Sequence, residues 1–184
     1  MRRRISEKPV SSTIVIIGGG FSGTILATEL LRRGNRAITV VLIEREGCPG
    51  RGVAYSTDCA GHLLNVGVQD MSAFADDPSH FLRWAREHYR DQAQPSDYLP
   101  RRVYGKYLES TLCEAIEENP GKFEWKRQEA SSIIPAEGGA TVLLSSGCRI
   151  HAEAVVLALG NFPPNDLTIP GKNEVSRRFV PNPW

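Results

Sequence analysis

Apolar residues in the first fifty positions form two short solid blocks with a periodic segment between them. Thr13 to Ile17 is a β-branched run that stops at glycine, the pattern of a buried strand. From Ser22 to Arg33 the spacing turns helical. Ile25, Leu26, Leu30 and Leu31 supply the apolar face, and Gly34 supplies the C-terminal stop. Ala37 to Ile43 is a second solid block. Strand, helix and strand within about thirty residues make a βαβ unit, so a parallel sheet is predicted.

Residues 45 to 76 hold no sustained period, and Gly47, Pro49, Gly50 and Gly52 punctuate their first half. A long irregular stretch inside a compact domain is usually functional. Asp77 and Pro78 then read as the cap and first residue of a helix running to about Tyr89, with Phe81, Trp84, Ala85 and His88 inward. A second helix is predicted from about Arg102 to Glu118, burying Val103, Tyr107, Leu108, Leu112, Ala115 and Ile116. Asn119-Pro120-Gly121 ends it.

The last third is β-rich. Residues 122 to 134 give one or two strands, Thr141 to Ser145 another, and Arg149 to His151 a short one. Ala154 to Leu159 is an apolar strand ending at Gly160. The proline-rich run beyond it holds no closing element and reads as the lead into a missing portion or partner chain. The predicted organisation is a loose tail over 1–11, an α/β domain over 12–171 and a lead-out over 172–184. The domain has a central parallel sheet with helices and an inserted β-meander.

Composition narrows the function classes. The 184 residues carry 22 Lys and Arg against 21 Asp and Glu, a net charge of +1. That balance leaves no electrostatic footprint for nucleic acid or for a membrane surface. Hydrophobic residues at 41% and charged residues at 23% describe a globular chain, not a disordered one. No apolar run approaches the ~18 residues of a membrane span. The basic start, Met1 to Arg4, lacks a secretory apolar core, so a cytoplasmic protein is expected. Cys48, Cys59, Cys113 and Cys148 form no C-x-x-C pair, and His62, His80, His88 and His151 are scattered. Reduced thiols are expected, and neither a metal site nor a nucleophile triad follows from the spacing.

The sharpest motif is Gly18-Gly19-Gly20-Phe21-Ser22-Gly23, a G-x-G-x-x-G between a predicted strand and a predicted helix. Gly18 permits the turn out of the strand. Gly20 lacks a Cβ, so a pyrophosphate can approach the backbone, and Gly23 allows close helix–strand packing. The helix N-terminus offers N–H groups and a positive dipole end to the phosphates. Glu44 follows at the end of the second strand, 21 residues beyond Gly23, where a carboxylate can accept hydrogen bonds from a ribose diol. The plain alternative is a glycine-rich turn of an unrelated α/β domain with Glu44 as a solvated strand end. These features do not separate FAD from NAD.

From Ile14 to Gly160 the chain resembles the FAD domain of two-dinucleotide-binding flavoproteins, the glutathione-reductase-like class. There a β-meander follows the βαβ portion, and a strand ending in Ala-Thr-Gly returns beside the cofactor. This chain reads Ala158-Leu159-Gly160, with Leu159 in place of Thr. The runs GRGVAYS (50–56), HLLNV (62–66), MSAFADDPSHFLRW (71–84) and LPRRVYGKYL (99–108) are similar to a bacterial group of FAD/NAD(P)-binding proteins. Some of that group are urate-hydroxylase-like. The match extends more distantly to flavin-dependent N-hydroxylating monooxygenases. Gly67 stands where the group usually has proline.

The resemblance implies FAD held by Gly18, Gly20, Phe21, Ser22 and Gly23 at the pyrophosphate and by Glu44 at the adenosine ribose. It places the backbone near Ala130 at the adenine, Gly160 near the phosphates, and Arg51 and Asn65 beside the flavin portion. Arg51 reads equally as a surface charge, and Asn65 as a turn residue bonded to its own backbone. Trp84, Tyr104 and Tyr107 read as core. The implied activity is flavin-dependent oxidoreduction with NAD(P)H, monooxygenase-like in the complete protein, on an unknown substrate. The rival readings are a stand-alone FAD or ADP module acting through a partner chain, and an NAD-only dehydrogenase domain.

Overall fold

A computed structural model of the chain describes residues 12–33 and 37–161. The N-terminal tail, the stop at Gly34 and the run from Phe162 onward lie outside the described residues. Strand β1 (Ser12–Ile17), helix α1 (Phe21–Arg33) and strand β2 (Ile38–Ile43) form the βαβ unit. The two strands are parallel, in register from Ser12 opposite Ile38 to Ile17 opposite Ile43. The irregular stretch contains one helical turn, α2 (Gly52–Tyr55), and a 3-10 turn at Val68–Asp70. Helices α3 (His80–His88) and α4 (Arg101–Glu118) follow.

The β-rich third divides between two sheets. β3 (Phe123–Lys126) pairs in parallel with β2, and β7 (Ala154–Leu157) in parallel with β1, giving the order β3-β2-β1-β7. Between them β4 (Ala130–Ala136), β5 (Gly139–Leu144) and β6 (Arg149–Ala152) make the separate antiparallel meander. This is a Rossmann-like α/β arrangement.

The solid apolar blocks have a direct cause. Side chains alternate across a strand, and both faces of this sheet are covered. Val15, Ile17, Val41 and Ile43 pack on Val142, Leu144 and Ala152 of the meander. Ile16, Val40 and Leu42 pack on Ala27 and Leu31 of α1 and on Leu112 and Ala115 of α4. Each valine, leucine or isoleucine among them stabilises the fold by roughly 1.5–3 kcal/mol when fully buried.

Two local expectations are corrected. The buried stripe of α1 is Gly23, Thr24, Ala27, Thr28 and Leu31, while Ile25, Leu26 and Leu30 are half-buried on its flanks. Small residues let the helix lie close to the sheet. The threonine hydroxyls are satisfied locally, Thr24 Oγ1 donating to the Gly19 carbonyl at 3.0 Å and Thr28 Oγ1 to the Thr24 carbonyl at 2.9 Å. Helix α3 begins at His80, not at Pro78. The Asp77 carboxylate accepts both terminal guanidinium nitrogens of Arg83, one of them at 2.9 Å.

Helices α3 and α4 meet through an aromatic core of Phe81, Trp84, Tyr104 and Tyr107, all buried. His88 is exposed and stacks on Trp84, with ring centroids 5.1 Å apart. Burial pushes the Tyr107 phenol up to about 12 and the His80 imidazole down. Tyr107 Oη and His80 Nδ1 share a hydrogen bond at 2.9 Å, and the Tyr107 oxygen accepts the Ala73 amide at 3.2 Å.

Candidate functional site

The site forms where β1 and β2 end together. Gly18 leaves β1 at φ +108°, a left-handed conformation, with its amide donating to the Ile43 carbonyl at 2.8 Å. A Cβ on Gly18 would lie 2.2 Å from the Ala158 carbonyl oxygen, so the returning β7 end presses on this turn. The Gly19 amide donates to Glu44 Oε2 at 2.7 Å. The Gly20 carbonyl accepts the Thr24 amide at 3.0 Å and starts α1.

The glycines differ in what their missing Cβ would meet. At Gly20 it would touch only Gly52 Cα, at an ordinary contact distance of 3.8 Å. At Gly23 it would lie 1.8 Å from the Gly18 carbonyl oxygen. Gly20 therefore keeps a space open and Gly23 keeps two backbones in contact. Helix α1 has no acidic residue in its first turn, and Arg32 and Arg33 sit in its last. The first feature leaves the positive end of α1 with no acid of the helix's own, and the two arginines complement its negative end.

Glu44 is half-buried and tied to backbone on both oxygens, for Oε1 accepts the Glu46 amide at 2.9 Å. Each carboxylate oxygen has two lone pairs, so acceptor capacity remains for a diol. Ala130 opens β4 and packs half-buried against the strand-end core of Val15, Ile17, Val41 and Ile43. Its neighbour Glu129 pairs with Arg45 at 3.7 Å, which joins the Ala130 and Glu44 segments.

The other expected residues are placed unevenly. Phe21 and Ser22 are exposed at the head of α1, and the Phe21 ring stacks on Tyr104 with centroids 6.2 Å apart. Gly160 sits at φ +66° with nothing within 4 Å of its absent Cβ, two residues past Ala158. Arg51 borders the loop, but its guanidinium turns to α4 and pairs with both oxygens of Glu109 at 2.9 and 3.1 Å. Asn65 accepts Arg101 Nη2 at 2.9 Å and so belongs to the start of α4. Thus Gly18, Gly20, Phe21, Ser22, Gly23 and Glu44 form one constellation, with the Ala130 and Gly160 segments at its margins.

A second glycine loop completes the constellation. The Gly50 amide donates to the Gly19 carbonyl at 2.8 Å, and a Cβ on Gly52 would lie 3.0 Å from Gly20 Cα. The glycine spacing of GRGVAYS is the signal that points to it. A separate shallow cavity, lined by Arg32, Phe74, His80, Thr111, Glu114, Ala115 and Glu118, lies toward the far end of α1 and includes no residue of either glycine loop.

The family model described as FAD-NAD(P)-binding matches residues 15–162. The chain belongs to this FAD-NAD(P)-binding family. Solved structures similar to the domain include cyclohexanone monooxygenase from Rhodococcus sp. Phi1 bound to NADP+. That chain is 25% identical with a TM-score of 0.57, and the match covers 85% of this chain and 28% of that one. OTEMO complexed with FAD and NADP is 14% identical, with 89% and 28% covered and a TM-score of 0.53. Native FqzB is 15% identical, with 84% and 37% covered and a TM-score of 0.53. The chain thus spans about a third of the length of these solved chains or less. No curated protein matches it in sequence.

The residues present fit the family's cofactor. The space beside Gly20 is one that a Cβ would fill, α1 starts without an acid, and Glu44 keeps acceptor capacity beside it. Among the described residues no helix is long and apolar enough to cross a membrane.

Proposed function

We propose that this FAD-NAD(P)-binding domain holds the ADP half of FAD in an NAD(P)H-dependent flavin oxidoreductase, a monooxygenase in its complete form. The observation that carries the reading is the room left at Gly20, where a Cβ would touch only Gly52 Cα, next to a Gly19 amide held by Glu44. The amides heading α1 receive the pyrophosphate, with Phe21, Ser22 and Gly23 supplying the first turn. Glu44 receives the ribose hydroxyls, and the Ala130 backbone borders the adenine. Gly160 and the Arg51 loop lie toward the rest of the cofactor, and Asn65 acts by fixing the start of α4. When bound, FAD supplies the redox chemistry, while the protein supplies binding and orientation. The monooxygenase subtype is supported by the fold shared with cyclohexanone monooxygenase.

A visible absorption spectrum of the purified chain, followed by titration with FAD, ADP and NAD, tests this reading. Saturable FAD binding in competition with ADP is the expected result. Saturation by NAD without FAD binding would reassign the domain to a dehydrogenase.

Glu44 offers a sharper test. Glu44→Ala removes a charge-assisted acceptor worth ~1.5–3 kcal/mol, so FAD affinity should fall roughly ten- to a hundredfold. The parent should also prefer ADP to 2′-deoxy-ADP, and the variant should not. An unchanged preference in the variant would remove Glu44 from the ribose.

A further inference from the structure

Helix α4 carries a motif, LPRRVYGKYL, whose core residues explain its apolar positions but not Gly105. A Cβ on Gly105 would lie 3.0 Å from the Tyr55 carbonyl oxygen, 3.2 Å from Tyr55 Cβ and 3.3 Å from Arg51 Cγ. One turn further along, the Glu109 carboxylate accepts from Nε and Nη2 of Arg51. Gly50, at φ +102°, completes the contact, for its Cβ would lie 3.1 Å from the Glu109 amide nitrogen and 3.2 Å from Leu108 Cβ. Residues 50–55 therefore lie flat along positions 105–109 of α4. The opposite edge of the same loop donates from Gly50 to Gly19 and meets Gly20 through Gly52.

We propose that Gly105 and Glu109 are positioning residues for dinucleotide binding, acting through the Gly50–Gly52 loop to set one wall of the space at Gly20. The inference rests on the dinucleotide reading above. Its physical basis is preorganisation. A loop already held in the bound geometry spends none of the binding free energy on being ordered. Gly105 allows the loop to approach the helix, and Glu109 fixes its register. The fork of a bidentate arginine–carboxylate pair defines orientation as well as distance. The Arg51 side chain is 41% exposed, so the pair adds little to overall stability, and its effect falls on where the loop lies.

The test compares Glu109→Ala, Glu109→Gln and Gly20→Val in FAD titrations, thermal melts and limited trypsin digestion, where cleavage after Arg51 reports loop release. Glu109→Ala should bind FAD about five- to tenfold more weakly, with its melting temperature within about 3 °C of the parent. Cleavage after Arg51 should be faster in the free variant and return to the parent rate at saturating FAD. Glu109→Gln keeps one acceptor and should lose only about two- to threefold. Parent-like affinity in Glu109→Ala beside lost affinity in Gly20→Val would overturn the positioning role and leave the dinucleotide reading standing. Parent-like affinity in both would bring down the dinucleotide reading itself. An affinity loss accompanied by a large fall in melting temperature would assign Glu109 to general stability instead.

Discussion

Gly20→Val should bind FAD roughly a hundredfold more weakly than the parent, a loss on the order of 2.7 kcal/mol, while keeping its fold. A Cβ there would touch only Gly52 Cα, at an ordinary contact distance of 3.8 Å, so the first carbon of the side chain displaces no protein atom. It occupies the approach of the pyrophosphate instead. Gly20 is not in the left-handed region, and its carbonyl still accepts the Thr24 amide. The expected structural cost is that of a poor N-cap residue in place of glycine, about 1 kcal/mol at most. In a chain of this size that shifts the melting temperature by about 2–4 °C. Paired FAD titration and thermal melting check both halves. Parent-like affinity would mean that the pyrophosphate does not pass Gly20.

The sequence makes legible whatever a single segment decides. The solid blocks at 13–17 and 37–43 announce strands buried on both faces, because each alternate residue has its own partner layer. The G-x-G-x-x-G and Glu44 sit at fixed distances within one βαβ unit, so their meeting follows from local geometry. Residues whose partners lie far along the chain are another matter. Arg51 reads as a loop charge until Glu109, on a helix two elements later, takes its guanidinium. Asn65 reads as a turn residue until Arg101 takes its side-chain oxygen. No spacing rule links these positions, since the fold alone brings them together.

Periodicity also misleads where packing is unusually close. On α1 the large apolar residues Ile25, Leu26 and Leu30 suggest the inner face, yet they flank it. Apart from Leu31, which is buried as its spacing suggests, the inner stripe holds glycine, alanine and threonine, because the helix start lies against the Gly18 backbone. The same cause explains why two threonines can be fully buried. Their hydroxyls bond to carbonyls of the loop and of the helix itself, leaving no polar group stranded. A close-packed helix start is also what the site needs, because it holds the α1 amides at a fixed height above the ends of β1 and β2.

Gly23→Ala tests that coupling and should behave unlike Gly20→Val despite the smaller side chain. Its Cβ would lie 1.8 Å from the Gly18 carbonyl oxygen, 3.0 Å from the Gly18 carbonyl carbon and 3.3 Å from Ala158 Cβ. The first two atoms are backbone, held by the β1 end and by the Gly18 amide bonded to Ile43. No rotamer relieves the clash, so the helix start must lift away from the strand. Overpacking of a tight contact costs typically ~1–3 kcal/mol, which here corresponds to a melting-temperature loss of roughly 2–12 °C. Lifting α1 also strains the Thr24 hydroxyl bond to Gly19 and moves the amides that head the helix. FAD affinity should therefore fall along with stability, and by more than tenfold on an order-of-magnitude basis. Thermal melting and FAD titration of both variants on one preparation separate the two roles. Loss of stability at Gly23 but not at Gly20 identifies one glycine as a packing contact and the other as a ligand space. A Gly23→Ala chain as stable as the parent would show that α1 does not rest on Gly18, and the geometry assigned to the phosphate loop would have to be abandoned.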